Sequence, residues 1–535
     1  TFLGGSYSCH CPIDDLSSNC PFHPFDDVGG QRNMNLAKNL EMSAFFFPKR
    51  PAVSEDGKET SYAYLNECAN RVATALLKIG IASGDHVALC ASNSGDWLAF
   101  YFGVIKIGAV AVTLSSQLKA DEMTLLVNHS RPKAIFTHDE KLGDLEKLRG
   151  KDCLGKIICP EGDLSFEKLL DSGEGVFKAV DAERTATAAI LYTGGTTGIP
   201  KGVMLSHENI NAAIHTVVHH ELSTEYDKAL CFLPFNHVFG QMHIMNATIL
   251  SGGCLELMPG FDLDRVLAAM KAGRITKFFS VPTIYVRLLT LDRLKETMGD
   301  VRYCFSAAAS MAAETVHQWK ERTGLSIYEG YGMTEAAPTV AYNHQYRHVI
   351  GSVGTEVPGV EIQIRDEKGN VLESNSAGEV CVRGPNIMKG YYNNVEGTRK
   401  AFWPGGWFRS GDVGVLDDNG YLFIVDRLKD MIISGGENVY SLEVEEVLYA
   451  HPDVQECAVI GTPDKEWGER VTAFILPKPG RAIDEGDLKD FLKARLSTYK
   501  VPKRFFMVDD FPRSPAGKLL KRKLRQSFLK DDEST

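Results

Sequence analysis

The sequence contains no apolar run long enough to cross a bilayer. Its nearest approach, Trp97 to Leu114, is broken by Lys106 and by glycines, and reads as a buried helix followed by a strand. It has no N-terminal apolar core with a cleavage site, so no secretory signal is expected. Nor has it a long basic run, and a formal net charge of −11 argues against general nucleic-acid binding. Its 12 cysteines lack the spacing of a disulfide framework, which suits reduced thiols and a cytoplasmic location. Internal repeats and long low-complexity segments are also missing. What remains is the balance of an ordinary globular protein, 44% hydrophobic and 24% charged. Its 535 residues are too many for one hydrophobic core, so two or more domains are expected.

The most informative stretch is Leu191 to His207, LYTGGTTGIPKGVMLSH. Glycines let a loop turn sharply and bring backbone N–H groups close to a polyanion, while threonine hydroxyls and Lys201 add donors and charge. The preceding apolar run reads as a buried strand, so a phosphate-binding loop leaves that strand. It is not a Walker A loop, because Ile-Pro-Lys follows Gly198, and its glycine spacing does not fit a dinucleotide turn.

Four further segments accompany it: YEGYGMTE at Tyr328–Glu335, WFRSGD at Trp407–Asp412, DRLKDMIISGGE at Asp426–Glu437 and PRSPAGK at Pro512–Lys518. In order and spacing the five resemble the signatures of the acyl-adenylate-forming (AMP-binding) superfamily, which holds acyl-CoA synthetases, coumarate-CoA ligases, luciferases and adenylation domains. The resemblance spans roughly residues 34 to 525. It departs at Gly194, where the family usually has Ser, and at Ile433, where coumarate-type ligases carry a lysine.

The pattern along the chain predicts an α/β fold. Strand–helix alternation from about residue 60, as in helix Tyr62–Ile79 and strand His86–Cys90, implies a large N-terminal domain of layered α/β subdomains. Short alternating runs between about 350 and 425 imply a small β subdomain. After Asp426 a small, mobile α+β C-terminal domain follows, with strands over Val454–Ile460 and Thr472–Leu476. The expected divisions are a disordered leader (1–33), the adenylation domain (34–426) and the mobile domain (427–535), with a hinge at 427–429. Met34 is a candidate functional start. Cys9, Cys11, Cys20 and His23 form a weak metal-site candidate in the leader, since zinc sites usually show tighter cysteine pairs. Lys521–Arg525 reads as a solvated helix end.

The resemblance also implies roles. Joining a carboxylate to the α-phosphate of ATP brings two anions together, so catalysis rests on positioning and charge neutralisation. Thr193, Gly194, Gly195, Thr196, Thr197 and Lys201 would hold the ATP phosphates. Glu335 would hold Mg²⁺, with Thr334 beside it. Tyr331, Ala308, Ala309 and Gly330 would enclose adenine, while Asp412 and Arg427 take the ribose. Lys518 would bridge carboxylate and phosphate, Lys429 would serve as pivot, and Gly435 and Gly436 would face the arm of coenzyme A. His237, Val281, Ala307 and Ala336 would line the acyl pocket. The implied activity is an AMP-forming acyl-CoA synthetase using a medium- to long-chain fatty acid, ATP and CoA, with a homodimer left open. The alternatives are a coumarate- or benzoate-type aryl-acid ligase, an acyl-carrier-protein loader and a luciferase-like oxidoreductase.

Overall fold

Strands with continuous apolar runs form the centre of the computed structural model, as expected where both sheet faces are covered. The structure describes residues 34–535 except 150–152, 194–200, 273, 465, 466, 515, 516 and 533–535. The leader, its Cys9, Cys11, Cys20 and His23, and Gly194, Gly195, Thr196 and Thr197 therefore lie outside the described residues. Met34 is already anchored, its N–H donating to the Ala182 carbonyl.

Two large sheets build the N-terminal part. In the seven-stranded one, His86–Cys90 lies between Val110–Thr113 and Ala134–Thr137, all parallel. Thr187–Thr193 continues that sheet in parallel, then returns antiparallel as Lys201–Ser206, so the phosphate-loop segment joins the two arms of a hairpin. The nine-stranded sheet includes Lys228–Cys231, Cys254–Leu257, Lys277–Ser280 and Tyr303–Ser306 in parallel. Its far side receives Pro51–Glu55, a strand from the start of the described chain that pairs Val53 with Leu255.

Ser61 caps the helix Tyr62–Lys78 by accepting from the Tyr64 N–H, and this helix packs on Gly95–Lys106. The lysine that breaks the apolar run, Lys106, is fully buried and lies 2.5 Å from Glu41, which supplies the countercharge burial requires. Among the described residues, no helix is long and apolar enough to cross a membrane.

A five-stranded sheet formed by Glu361–Arg365, Gly378–Arg383, Phe402–Trp403, Trp407–Leu416 and Leu422–Arg427 is the small β subdomain. The last part of the chain forms another five-stranded sheet whose two faces are both covered. Along Val454–Asp464, Cys457 and Val459 face helices Ser441–Tyr449 and Glu485–Lys493, while Ala458 and Ile460 face Phe474, Phe511 and Leu524. This strand and its partner Gly468–Pro477 run longer than the apolar cores suggested, because a long antiparallel pairing continues to Asp464 and Gly468.

One expectation is corrected here. Lys521–Arg525 is not a solvated end: it opens the helix Lys521–Asp532, and Leu524 enters the core. Lys521 lies 2.7 Å from Glu445, a partner some seventy-five positions away that burial of both groups demands.

Candidate active site

The strand ends, the small β sheet and the last loop of the chain meet at a cleft of about 650 Å³. Its described lining carries Lys201, Lys400, Arg409, Arg427, Lys429 and Lys518 against Glu335, Glu379 and Asp412. That local cationic excess answers the chain's overall negative charge, and suits an anionic ligand.

Strand Ile327–Gly332 runs into the cleft, and close packing explains its glycines. A Cβ at Gly330 would lie 2.5 Å from the Phe305 ring, and one at Gly332 would overlap the Pro338 carbonyl. Tyr331 between them donates its hydroxyl to Asp412 Oδ2 at 2.7 Å. The other oxygen, Oδ1, is 3.1 Å from Arg427 Nε, because Asp412 and Arg427 are opposite each other on adjacent strands. Three segments far apart in sequence thus fix one buried carboxylate.

Glu335 follows on a short helical turn, Thr334–Ala336. The Tyr391 hydroxyl donates to its Oε1 at 2.9 Å, and the Lys201 ammonium sits 4.6 Å above the Tyr391 ring. Burial raises the Glu335 carboxyl above its ordinary range, opposed by hydrogen bonds and by the Lys201 and Arg427 charges. No lysine or arginine pairs with it directly among the described residues. A half-buried carboxylate lining a cationic cleft, with no lysine or arginine on it among the described residues, fits a hard divalent ion such as Mg²⁺.

Lys518 enters from the C-terminal sheet's side. Its N–H donates to Ser514 Oγ at 3.1 Å, and the preceding Gly517 has φ +82°, a left-handed conformation that favours glycine. Burial, and next the Arg427 charge, push the Lys518 ammonium down to about 8. Burial, and next Lys518, push His237 down to about 4, so its ring is neutral near pH 7. His237 Nδ1 accepts from the Phe239 N–H at 3.2 Å, which leaves Nε2–H as the ring's donor.

Of the expected site residues, the cleft brings together Thr193, Lys201, His237, Ala307, Ala308, Gly330, Tyr331, Thr334, Glu335, Asp412, Arg427, Lys429 and Lys518. Ala309 is exposed and outside the lining. Two expected pocket walls lie behind it. Val281 is buried beside Gly517 in the loop that carries Lys518, and Ala336 is buried with its carbonyl accepting from Asn386. Phe239, His243, Phe305 and Tyr342 line the cleft instead. Phe239–Asn246 is wound as a π-helix, a rare form often found at functional sites. Gly435 and Gly436 are not in the cleft. They form the tip of the hairpin Ile432–Ser434 and Glu437–Val439, with φ +61° and +85°.

Residues that the motifs did not reveal are Tyr391, His243, Phe305, Tyr342 and Glu379. Tyr391 reaches Glu335 because Gly390–Tyr391 pairs with Met204 and Val203, a contact invisible in local pattern. The contacts that seat Lys518's side of the protein are also non-local. Glu446 Oε1 accepts from the Ala313 N–H at 2.9 Å, and Arg513 spans Thr283 and Glu456, both at 3.0 Å.

A family model described as AMP-binding enzyme matches residues 40–392, and one described as AMP-binding enzyme C-terminal domain matches 443–518. The chain is 34% identical over 503 residues to a feruloyl-CoA synthase of Amycolatopsis sp, covering 93% of this chain and 100% of that protein. It is 34% identical over 510 residues to an oxalate–CoA ligase of Arabidopsis thaliana, covering 92% and 98% respectively. The crystal structure of ATP-bound MatB from Rhodopseudomonas palustris matches with a TM-score of 0.86 at 35% identity, covering 92% of this chain and 99% of that one.

Proposed function

Because the chain belongs to the AMP-binding enzyme family, we propose that it is an AMP-forming acid–thiol ligase that makes an acyl-adenylate and passes the acyl group to coenzyme A. The observation that carries this reading is the convergence of Lys518, Glu335 and Asp412 on one cationic cleft.

In the first step a carboxylate oxygen bonds to the α-phosphorus of ATP, and the bond to the β-phosphate oxygen breaks, releasing pyrophosphate. Lys518 offsets the charge gathered between the two anions, and Lys201 faces the phosphates. Asp412 accepts from the ribose hydroxyls, held in place by Tyr331 and Arg427. Glu335 would hold Mg²⁺, which offsets phosphate charge when bound. The neutral His237 adds no repulsion beside Lys518 and offers its Nε2–H to the acid.

In the second step the thiolate sulfur of coenzyme A bonds to the acyl carbon, and AMP leaves with the electron pair of the C–O bond. A rotation about residues 427–429 would remove Lys518 and present Gly435 and Gly436 to the thiol arm. The tip of their hairpin is exposed and belongs to the small domain.

The expectation of a medium- to long-chain fatty acid rests on a pocket wall of mostly small residues, Val281, Ala307 and Ala336 among them, with no lysine or arginine placed to pair a second carboxylate. With Val281 and Ala336 behind the wall and four aromatic rings in front, the cleft better supports a compact acid. The varied acids named for the relatives leave the class open to either. Pyrophosphate release across fatty, aryl and dicarboxylic acids, with and without coenzyme A, tests the proposal. One preferred acid with CoA-dependent turnover supports it, and release that coenzyme A never accelerates refutes the second step.

A further inference from the structure

Resting on the ligase reading, we propose that Tyr342 and His243 close the acid end of the cleft as a fixed floor. That floor restricts the substrate to a single-ring aryl monocarboxylic acid with small neutral substituents.

The floor is a stack. The His243 ring lies 4.6 Å from Phe305 at 27°, and Phe305 lies 4.8 Å from Tyr342 at 21°. Phe239 meets His243 edge-on at 5.0 Å. Flat faces and ring edges of this kind complement another ring better than a flexible chain.

The stack is held from behind by buried charge. His243 Nε2 is 2.7 Å from Glu221 Oε1, and Glu221 Oε2 is 3.0 Å from Lys277 Nζ; the three side chains are at most 3% exposed. The Tyr342 hydroxyl sits against the same imidazole edge, 2.9 Å from Nδ1. Moving His243 aside would leave the buried Glu221 Oε1 without its imidazole partner, so the floor resists a longer tail. Lys277 is engaged by Glu221 and by Ser223 at 2.5 Å, so among the described residues it leaves no cation at the floor for a second carboxylate. Among the described residues Thr339 lines the cleft, and its hydroxyl is buried without a partner.

Tyr342 is also a partition. On its other side His220 stacks on it at 5.3 Å and 22°. His220 in turn lines a separate surface groove of about 340 Å³, together with Leu222, His344, Tyr346 and Val360. A tail longer than one ring would have to pass through the plane these two rings occupy.

The experiment measures kcat/KM for pyrophosphate release with benzoate, a hydroxybenzoate, cyclohexanecarboxylate, hexanoate, dodecanoate and malonate. The full-length protein is compared with Tyr342→Ala, Tyr342→Leu and Tyr342→Phe. Wild type is expected to favour the single-ring acids over dodecanoate and malonate by on the order of a hundredfold, the scale that pocket shape can supply. Tyr342→Ala or Tyr342→Leu should raise dodecanoate at least about tenfold relative to benzoate. Tyr342→Phe, which keeps the ring, should retain the wild-type order of acids. The leucine variant, which keeps more of the side-chain volume, keeps the test open if the alanine variant does not fold. Preference of wild type for dodecanoate or malonate overturns the inference while leaving the ligase reading intact. An equal loss on every acid in the folded Tyr342 variants also overturns it. Silence of wild type on all acids, with ATP still bound, overturns the ligase reading and this inference with it.

Discussion

Lys518 must be protonated to bridge two anions, and its surroundings make that conditional. Burial and the Arg427 charge bring its ammonium from 10.5 down to about 8. The charged form exists below that value and is lost as pH rises through it. kcat/KM reports the ionisation of the free enzyme, so the rate of adenylate formation should be level below pH 8 and then fall. By pH 9 the charged fraction is down about tenfold, the consequence of one pKa unit. His237 titrates near 4 and does not bend the profile between pH 6 and 10. The assay is pyrophosphate release without coenzyme A, from pH 6 to 10, at low acid concentration. Lys518→Ala should lower it by about 10²–10³-fold, the usual loss when one transition-state donor is removed. Lys518→Arg, charged at every pH, should show reduced activity but no descending limb. A wild-type profile flat to pH 9.5, or Lys518→Ala within a few-fold of wild type, would refute the assigned role.

Four further expectations follow from the geometry. Tyr391→Phe removes the hydroxyl that donates to Glu335 and should weaken the Mg²⁺ requirement curve about fivefold, as for one hydrogen bond, read by magnesium titration of pyrophosphate release. Asp412→Ala leaves Arg427 unpaired and takes away the ribose acceptor, so KM for ATP should rise by at least about tenfold, measured by ATP titration. Gly435→Ala places a Cβ 2.7 Å from the Trp467 ring at φ +61°. It should cost more than the about 1–2 kcal/mol of a left-handed residue alone, whereas Gly436→Ala meets nothing within 4 Å and should stay near that figure, both by denaturant unfolding. A bulky Gly436→Leu should spare adenylate formation and block transfer to coenzyme A, measured with supplied acyl-adenylate; equal loss of both steps would count against the thiol-arm role.

Contiguous features were legible because their chemistry is local. YEGYGMTE carries its glycines, aromatic ring and carboxylate within eight positions, and PRSPAGK carries its lysine on a glycine turn. The pattern likewise marked the helix Tyr62–Ile79, one residue longer than the structure has it, and the strands around it. What stayed hidden depends on pairings across the chain. Nothing near Tyr391 announces Glu335, since the link runs through a short antiparallel pairing with Met204 and Val203. Val281 and Ala336 stand at strand and turn ends, where sequence does not tell which side faces the cleft. His243 was hidden because a π-helix does not follow the ordinary helical period. Lys521 looked solvated because its partner Glu445 belongs to a different helix.

The strand Pro51–Glu55 has one more consequence, for how the protein is made. It pairs with Cys254–Leu257, about two hundred residues later, so its edge has no partner until that stretch leaves the ribosome. At about 5–20 residues per second the wait is roughly 10–40 seconds. During it, Pro51–Glu55 has only the local hairpin with Lys58–Ser61, whose outer strand is polar and exposed at Lys58 and Glu59. A charged lysine and glutamate on that strand discourage pairing with other chains, which makes a marginal local hairpin a guard for a nascent sheet.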